Sequence, residues 1–213
     1  MEKPSLPSGT RDFSPQVMLR RKYITATMER VFLSHGFGAL ETPSIENLKT
    51  LQGKYGNEGD QLLFKVLNSG DFLSKAEASL LQAKDSKGIT PQISDRGLRY
   101  DLTVPLARYV VMNRNEIVFP FKRYQMQPVW RADRPQKGRY REFWQCDIDV
   151  VGANSVVSEA ELIEMYQEVF SALDLGVKIR INHRGILDAF MGVLGSKEHW
   201  DAFMVIIDKA DKI

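Results

Sequence analysis

Hydrophobic and polar positions alternate every second residue over 122–131 and again over 141–151, the period of an extended strand. Between them, residues 132–140 are polar and hold the turn formers Asp133, Pro135 and Gly138. The pattern predicts a long antiparallel hairpin. On its second strand Trp144, Cys146, Ile148 and Val150 share one face, while Phe143, Gln145, Asp147 and Asp149 share the other. The first face is expected to be core and the second polar.

The same reading places the remaining elements. Pro4, Pro7, Gly9 and Pro15 mark an irregular N-terminal arm, and Ser14 followed by Pro15 opens a helix to about Ser34. That helix carries Val17, Ile24, Met28, Val31 and Phe32 on one side, with Arg20, Arg21, Glu29 and Arg30 elsewhere, and it ends near Gly36. The run HGFGALETPSIENL is extended, since Pro43 excludes helix. Residues 54–60 read as a glycine-punctuated loop, 61–67 as a strand, and 69–96 as a polar, mobile segment. Residues 98–113 read as a short extended piece and then a helix with Leu106, Val110 and Val111 on its apolar side. Ser158 and Glu161 are spaced as a capping box for a helix to about Leu173, with Gly176 beyond its end. Glu159, Glu161, Glu164 and Glu168 would form its solvated face. A strand over 177–181 and helices over 184–194 and 197–212 complete the prediction.

Composition changes this picture little. The 213 residues, 43% hydrophobic and 26% charged, suit one large or two small globular domains. No apolar run approaches a membrane span, and MEKPSLPSGTRDFSP lacks the apolar core of a secretory signal, so a cytoplasmic protein with no membrane partner is expected. The single cysteine, Cys146, has no intrachain partner and is read as a core residue, not a nucleophile. His35, His183 and His199 are scattered, so no protein-built metal site is expected.

Charge changes it more. The chain carries +2 overall, yet between residues 122 and 142 Lys122, Arg123, Arg131, Arg134, Lys137, Arg139 and Arg141 face only Asp133 and Glu142. Arg131 sits where the first strand meets the loop. Gln145 and Asp149 lie roughly 13 Å apart on the polar face of the second strand. A small polyanion and a small amphoteric molecule could together span that distance. Phe143, an aromatic ring among polar neighbours, suits stacking on a flat ligand or simply covers a sheet edge. Asp101 and Thr103, where strand gives way to helix, are in the first instance caps.

The run FKRYQMQPVWRADRPQKGRYREFWQCDIDVVG, residues 121–152, resembles the second signature motif of class II aminoacyl-tRNA synthetases, an Arg-x-Glu type turn between antiparallel strands. Within that class RADRPQKGRYREFWQCDIDVVG is similar to the version in histidyl-tRNA synthetases. PSGTRDFSP, INHRGILDAF and DKADKI also look like family positions, so the resemblance runs from Ser8 to the last residues. It departs at Asp133, where Glu is usual, and at Asp101 and Asp149, where many members carry Glu. It implies an α+β fold, a class II synthetase-like antiparallel sheet flanked by helices. The long helix and strand of residues 15–46 resemble the first motif, which in that family builds a homodimer interface. The family's third motif and anticodon-binding domain would lie beyond residue 213. The chain is therefore expected to be the N-terminal portion of a longer synthetase's catalytic domain, activating histidine poorly by itself.

The resemblance implies two reactions: ATP and histidine give histidyl-adenylate and pyrophosphate, and the 3′ end of tRNA(His) then takes the acyl group. Neither step needs a protein nucleophile. Arg131 would be the catalytic cation bridging phosphate and carboxylate. Asp101, Thr103, Arg131, Gln145 and Asp149 would bind histidine, with Asp149 accepting from the imidazole. Arg131, Asp133, Arg139 and Phe143 would bind ATP, which brings its own Mg²⁺. Three other readings compete: a catalytically silent regulatory or histidine-sensing subunit, a class II synthetase for another amino acid such as threonine or proline, and a nucleic-acid module using the basic hairpin. Asp147 and Asp149 on the same face weigh against the last.

Overall fold

The computed structural model describes residues 3–54, 56–194, 199, 200, 202, 204, 206 and 207. It divides into two compact units, Met1–Leu175 and Gly176–Ile213.

In the first unit, α1 (Pro15–Ser34) begins at an N-cap Ser14 whose hydroxyl accepts from the Val17 amide. It ends where Gly36 takes φ 76°. The Phe37 amide then returns to the Phe32 carbonyl at 3.0 Å and that of Gly36 to Leu33 at 3.0 Å, satisfying carbonyls the helix leaves open. The chain continues through β1 (Gly38–Ala39), β2 (Ile45–Asn47), α2 (Leu48–Leu51), α3 (Gly56–Gln61) and β3 (Lys65–Val66). Next come α4 (Ala78–Gln82), α5 (Ser86–Ile93), β4 (Arg96–Leu98), α6 (Thr103–Met112), β5 (Phe121–Trp130), β6 (Glu142–Val151) and α7 (Val157–Ala172).

The expected hairpin is present: β5 and β6 pair antiparallel from Phe121 opposite Val151 to Trp130 opposite Glu142. β1 adds in parallel to β5, and a second antiparallel sheet has the order β2-β4-β3. Helices flank both, so the α+β architecture stands.

α1 and α7 cover one face of the hairpin, where Val31, Phe32, Phe37, Tyr124, Met165 and Val169 form a core with Ile148 and Val150 against it. The predicted apolar face of β6 is thus covered at its C-terminal end only. Towards the loop Trp144 is 50% exposed and Cys146 is exposed as well, which corrects the reading of Cys146 as a core residue.

A second cluster, Leu48, Leu51 and Leu63, carries Tyr100 and Val104 against it. Two arginines tie the sheets and helices together. The fully buried Arg99 donates to the carbonyls of Thr42 and Pro128 and to Gln127 Oε1, and Arg108 forks onto the buried carboxylate of Glu46.

Several local expectations give way. The loop over 54–60 contains α3, the strand over 61–67 shrinks to β3, and 69–96 holds two short helices and the first residue of β4. Val111 is exposed, not part of α6's covered side. The capping box is not formed, because Ser158 already lies inside α7 and Ser155 accepts from the Val157 amide instead. Glu161 is engaged elsewhere: Lys122 Nζ sits 2.6 Å from it, and His35 reaches Glu168 at 2.8 Å. Part of that acidic face therefore clamps α7 to β5 and the end of α1 instead of being merely solvated.

In the second unit α8 (Arg184–Leu194) is as expected. Residues 177–181 form no strand, and the helix expected over 197–212 falls largely outside the described residues.

Candidate functional site

The register of the hairpin builds the site. Arg123, Gln125 and Gln127 on β5 stand directly opposite Asp149, Asp147 and Gln145 on β6, and Val129 opposite Phe143 closes this face at the loop end. Six polar side chains therefore share one face, since cross-strand partners point the same way. The sequence reading identified only the β6 half. Arg123, Gln125 and Gln127 were missed as neighbours of the site, although pairing the strands outward from the turn would have put Arg123 beside Asp149.

Arg131 lies one residue past β5, held by its amide to the Arg141 carbonyl at 2.9 Å. Its Nε donates to the Tyr100 carbonyl at 3.1 Å, and its guanidinium sits 4.3 Å from the Tyr100 ring centre and 5.1 Å from that of Phe143. Among the described residues it makes no ion pair. A cation placed on two ring faces keeps its charge available to an anion.

Tyr100 leads directly into the Asp101–Leu102–Thr103 turn. Asp101 Oδ1 accepts from the Val104 amide at 3.1 Å, so the capping role is real, and Thr103 is the exposed first residue of α6. Leu102 is fully buried, and its carbonyl accepts from Arg123 Nη2 at 3.5 Å. The same Nη2 lies 2.6 Å from Asp149 Oδ2. That contact is close but not aligned as a hydrogen bond, so among the described residues Asp149 Oδ2 is a buried acceptor without a hydrogen-bond partner, as is Gln145 Oε1. Two unpartnered buried acceptors on one strand face, with 30% of the Asp149 side chain still exposed, suit a ligand rich in N–H donors.

Burial sets the electrostatics here. It lowers the proton affinity of Arg123, an effect opposed by Asp149, Asp147, Cys146 and Asp101. Burial likewise raises the Asp147 carboxyl above its ordinary value, against the pull of Arg123. Desolvation of the sulfur, followed by the neighbouring Asp147, pushes the Cys146 thiol up to about 12 despite the residue's exposed surface. At neutral pH Cys146 is therefore held in its protonated, less reactive form.

The loop is shaped by contacts of its own. Gln136 and Arg139 exchange backbone hydrogen bonds around Gly138, whose φ of 82° a turn requires. Asp133, buried, pairs through Oδ1 with Arg139 Nη2 at 2.9 Å, and its carbonyl accepts from Arg141 Nε. The expected nucleotide contacts Asp133 and Arg139 are thus joined to each other.

A family model described as Histidyl-tRNA synthetase matches residues 76–212. A histidine–tRNA ligase of Christiangramia forsetii is 58% identical over all 213 residues, which make up 47% of that protein, so the chain spans about half the length of the curated relatives it matches. A crystal structure of histidyl-tRNA synthetase from Nostoc sp. PCC 7120 aligns over 96% of this chain and 43% of its own, with 33% identity and a TM-score of 0.74. A Bacillus halodurans structure titled an ATP phosphoribosyltransferase regulatory subunit/histidyl-tRNA synthetase aligns over 98% and 50%, with 25% identity and a TM-score of 0.75. Matched over well more than half its length by the family model, and presenting the hairpin and turn just described, this chain belongs to the histidyl-tRNA synthetase family.

Proposed function

We propose that these residues form the histidine-activating part of a histidine–tRNA ligase, with Arg131 as the catalytic cation. The carrying observation is its guanidinium, poised on Tyr100 and Phe143 without a carboxylate partner among the described residues. In the first step a histidine carboxylate oxygen bonds to the α-phosphorus of ATP while the bond to the β-phosphoryl oxygen breaks and pyrophosphate leaves. Two anions must meet, so a fixed cation touching both lowers the barrier most. The Mg²⁺ that accompanies ATP neutralises phosphate charge further.

Phe143 stacks on the adenine in this reading, with Arg131 moving off its ring onto phosphate. Arg139 and Asp133 hold the nucleotide from the loop, Arg139 exchanging part of its pairing with Asp133 for phosphate oxygens. Asp101, Thr103 and Gln145 take the α-ammonium, and Asp149 accepts from the imidazole. A hydroxyl at the 3′ end of tRNA(His) then attacks the acyl carbon, the acyl–phosphate bond breaks, and AMP leaves.

The homodimer belongs to this reading too. Leu19, Tyr23 and Ile24 on α1 and Trp144 on β6 are all exposed, and Ile24 and Trp144 line a cavity of about 280 Å³ together with Arg21 and Met126. An apolar surface of that kind suits a second copy of the chain. No described helix is long and apolar enough to cross a membrane. A cytoplasmic location, where tRNA and ATP meet, completes the proposal.

The Bacillus halodurans resemblance keeps a regulatory subunit in view. ATP–pyrophosphate exchange in the intact ligase separates the readings. Exchange that depends on histidine, and not on threonine or proline, is expected; histidine binding without any exchange would favour the regulatory one. Sedimentation at high concentration checks the dimer, which a monomer would refute.

A further inference from the structure

We propose that Arg123 is a positioning and specificity-determining residue: paired with Asp149 from the buried side, it turns an anionic pocket wall into a dipole that selects neutral imidazole over imidazolium. The inference rests on the histidine site described above and goes beyond it by assigning a residue that contacts no substrate.

Three observations carry it. Arg123 has no exposed surface, so it acts only through what it touches. Its Nη2 touches both halves of the site, Asp149 Oδ2 at 2.6 Å and the Leu102 carbonyl within the Asp101–Thr103 turn at 3.5 Å. The pair buries Asp149 Oδ2 but leaves 30% of the Asp149 side chain exposed to a ligand, while Nε and Nη1 of Arg123 have no hydrogen-bond partner among the described residues. The guanidinium is therefore held here by charge, and by little else.

The consequence for the ligand follows from elementary electrostatics. A lone carboxylate in a half-buried wall attracts a cation, so it would bind imidazolium, or the ammonium of a lysine side chain, better than neutral imidazole. With Arg123 behind it the local charge cancels, while the acceptor still takes one N–H. Neutral imidazole needs only that acceptor and gives up less hydration on binding.

The other charged groups facing Arg123 are Asp147 on β6 and Asp101 at the head of α6. Asp101 is matched by the substrate's α-ammonium in this reading. Burial favours the protonated form of Asp147, and its protonation on the acid side removes negative charge, which again works against imidazolium.

The test is equilibrium binding of L-histidine by calorimetry from pH 5.5 to 8.5, with the wild-type protein, Arg123→Met and Arg123→Lys. Wild-type affinity should be level above the imidazole pKa of about 6.5 and fall below it, approaching tenfold per pH unit. Arg123→Met should bind roughly tenfold more weakly at pH 8 and lose or invert that fall. Arg123→Lys, which restores the charge without the fork, should recover the acid-side fall. A purely structural role would weaken binding equally at every pH, and parallel wild-type and Met profiles would overturn the proposal. Should Arg123→Met not fold, the wild-type profile decides, because affinity that is flat or rises towards pH 5.5 refutes neutral-imidazole selection. Absence of histidine binding by the wild type would instead remove the underlying site reading, and this proposal with it.

Discussion

The guanidinium of Arg11 lies against the ring of Tyr140, 3.3 Å from its centre, joining the N-terminal arm to the end of the basic loop. Two residues earlier in the arm, the Gly9 carbonyl accepts from the Arg141 amide at 2.8 Å, and a Cβ at Gly9 would come within 2.8 Å of the Arg141 side chain. The arm is thereby a backing for the loop that carries Asp133 and Arg139. In the intact ligase of the proposed function, Arg11→Ala should loosen it and raise KM for ATP about fivefold, the effect of roughly 1 kcal/mol of cation–π contact. KM for histidine should change little. Steady-state pyrophosphate exchange with each substrate varied in turn is the measurement, and equal changes in both constants would argue for general loosening of the fold.

Arg131→Ala in the intact ligase should lower adenylate formation by about 10² to 10⁴, the scale for removing one preorganised charge stabiliser. The loss should fall on the rate more than on histidine affinity, because the developing charge is greatest in the transition state. Single-turnover adenylate formation measures it. Unchanged exchange would retire Arg131 as the catalytic cation.

Tyr124 ties the core to α1 through a hydrogen bond donated to Glu29 at 2.5 Å. Burial, with that bond and the Glu29 charge adding to it, pushes the phenol up to about 12 from an ordinary 10.0. A group whose native pKa is raised contributes stability that is complete below the unfolded value and lost as pH rises through the native one. Tyr124→Phe should cost roughly 1–2 kcal/mol at neutral pH. The deficit relative to wild type should shrink between pH 10 and 12, and urea melts across that range would show it. A constant deficit would mean that packing, not the phenol proton, is responsible.

Asp147 makes the opposite kind of case. Burial raises its carboxyl above 3.8, outweighing the lowering by Arg123. The native state thus holds the proton more tightly than the unfolded chain does, so this group's contribution is full below about 3.8 and lost as pH rises through its native value. Asp147→Asn should therefore melt slightly higher than wild type at pH 7, with the two curves converging towards pH 4. A lower Tm at pH 7 would show that pairing with Arg123 outweighs burial.

Much of this was legible in the chain itself. The two-residue alternation of 122–131 and 141–151 determined the hairpin, because a period of two permits no helical face. Ser14, Pro15 and Gly36 bounded α1, because caps and a left-handed residue are local devices that need no distant partner. The shared face of Gln145, Asp147 and Asp149 was readable for the same reason, from their spacing along one strand. Only the tertiary structure decided what crosses between elements. It placed Arg123 opposite Asp149, Arg131 on the rings of Tyr100 and Phe143, and Glu161 against Lys122 in place of the capping box. It also left Trp144 and Cys146 open where alternation alone promised core. Periodicity states which face a side chain takes, whereas burial and partnership depend on what packs against that face, and those neighbours come from distant parts of the chain.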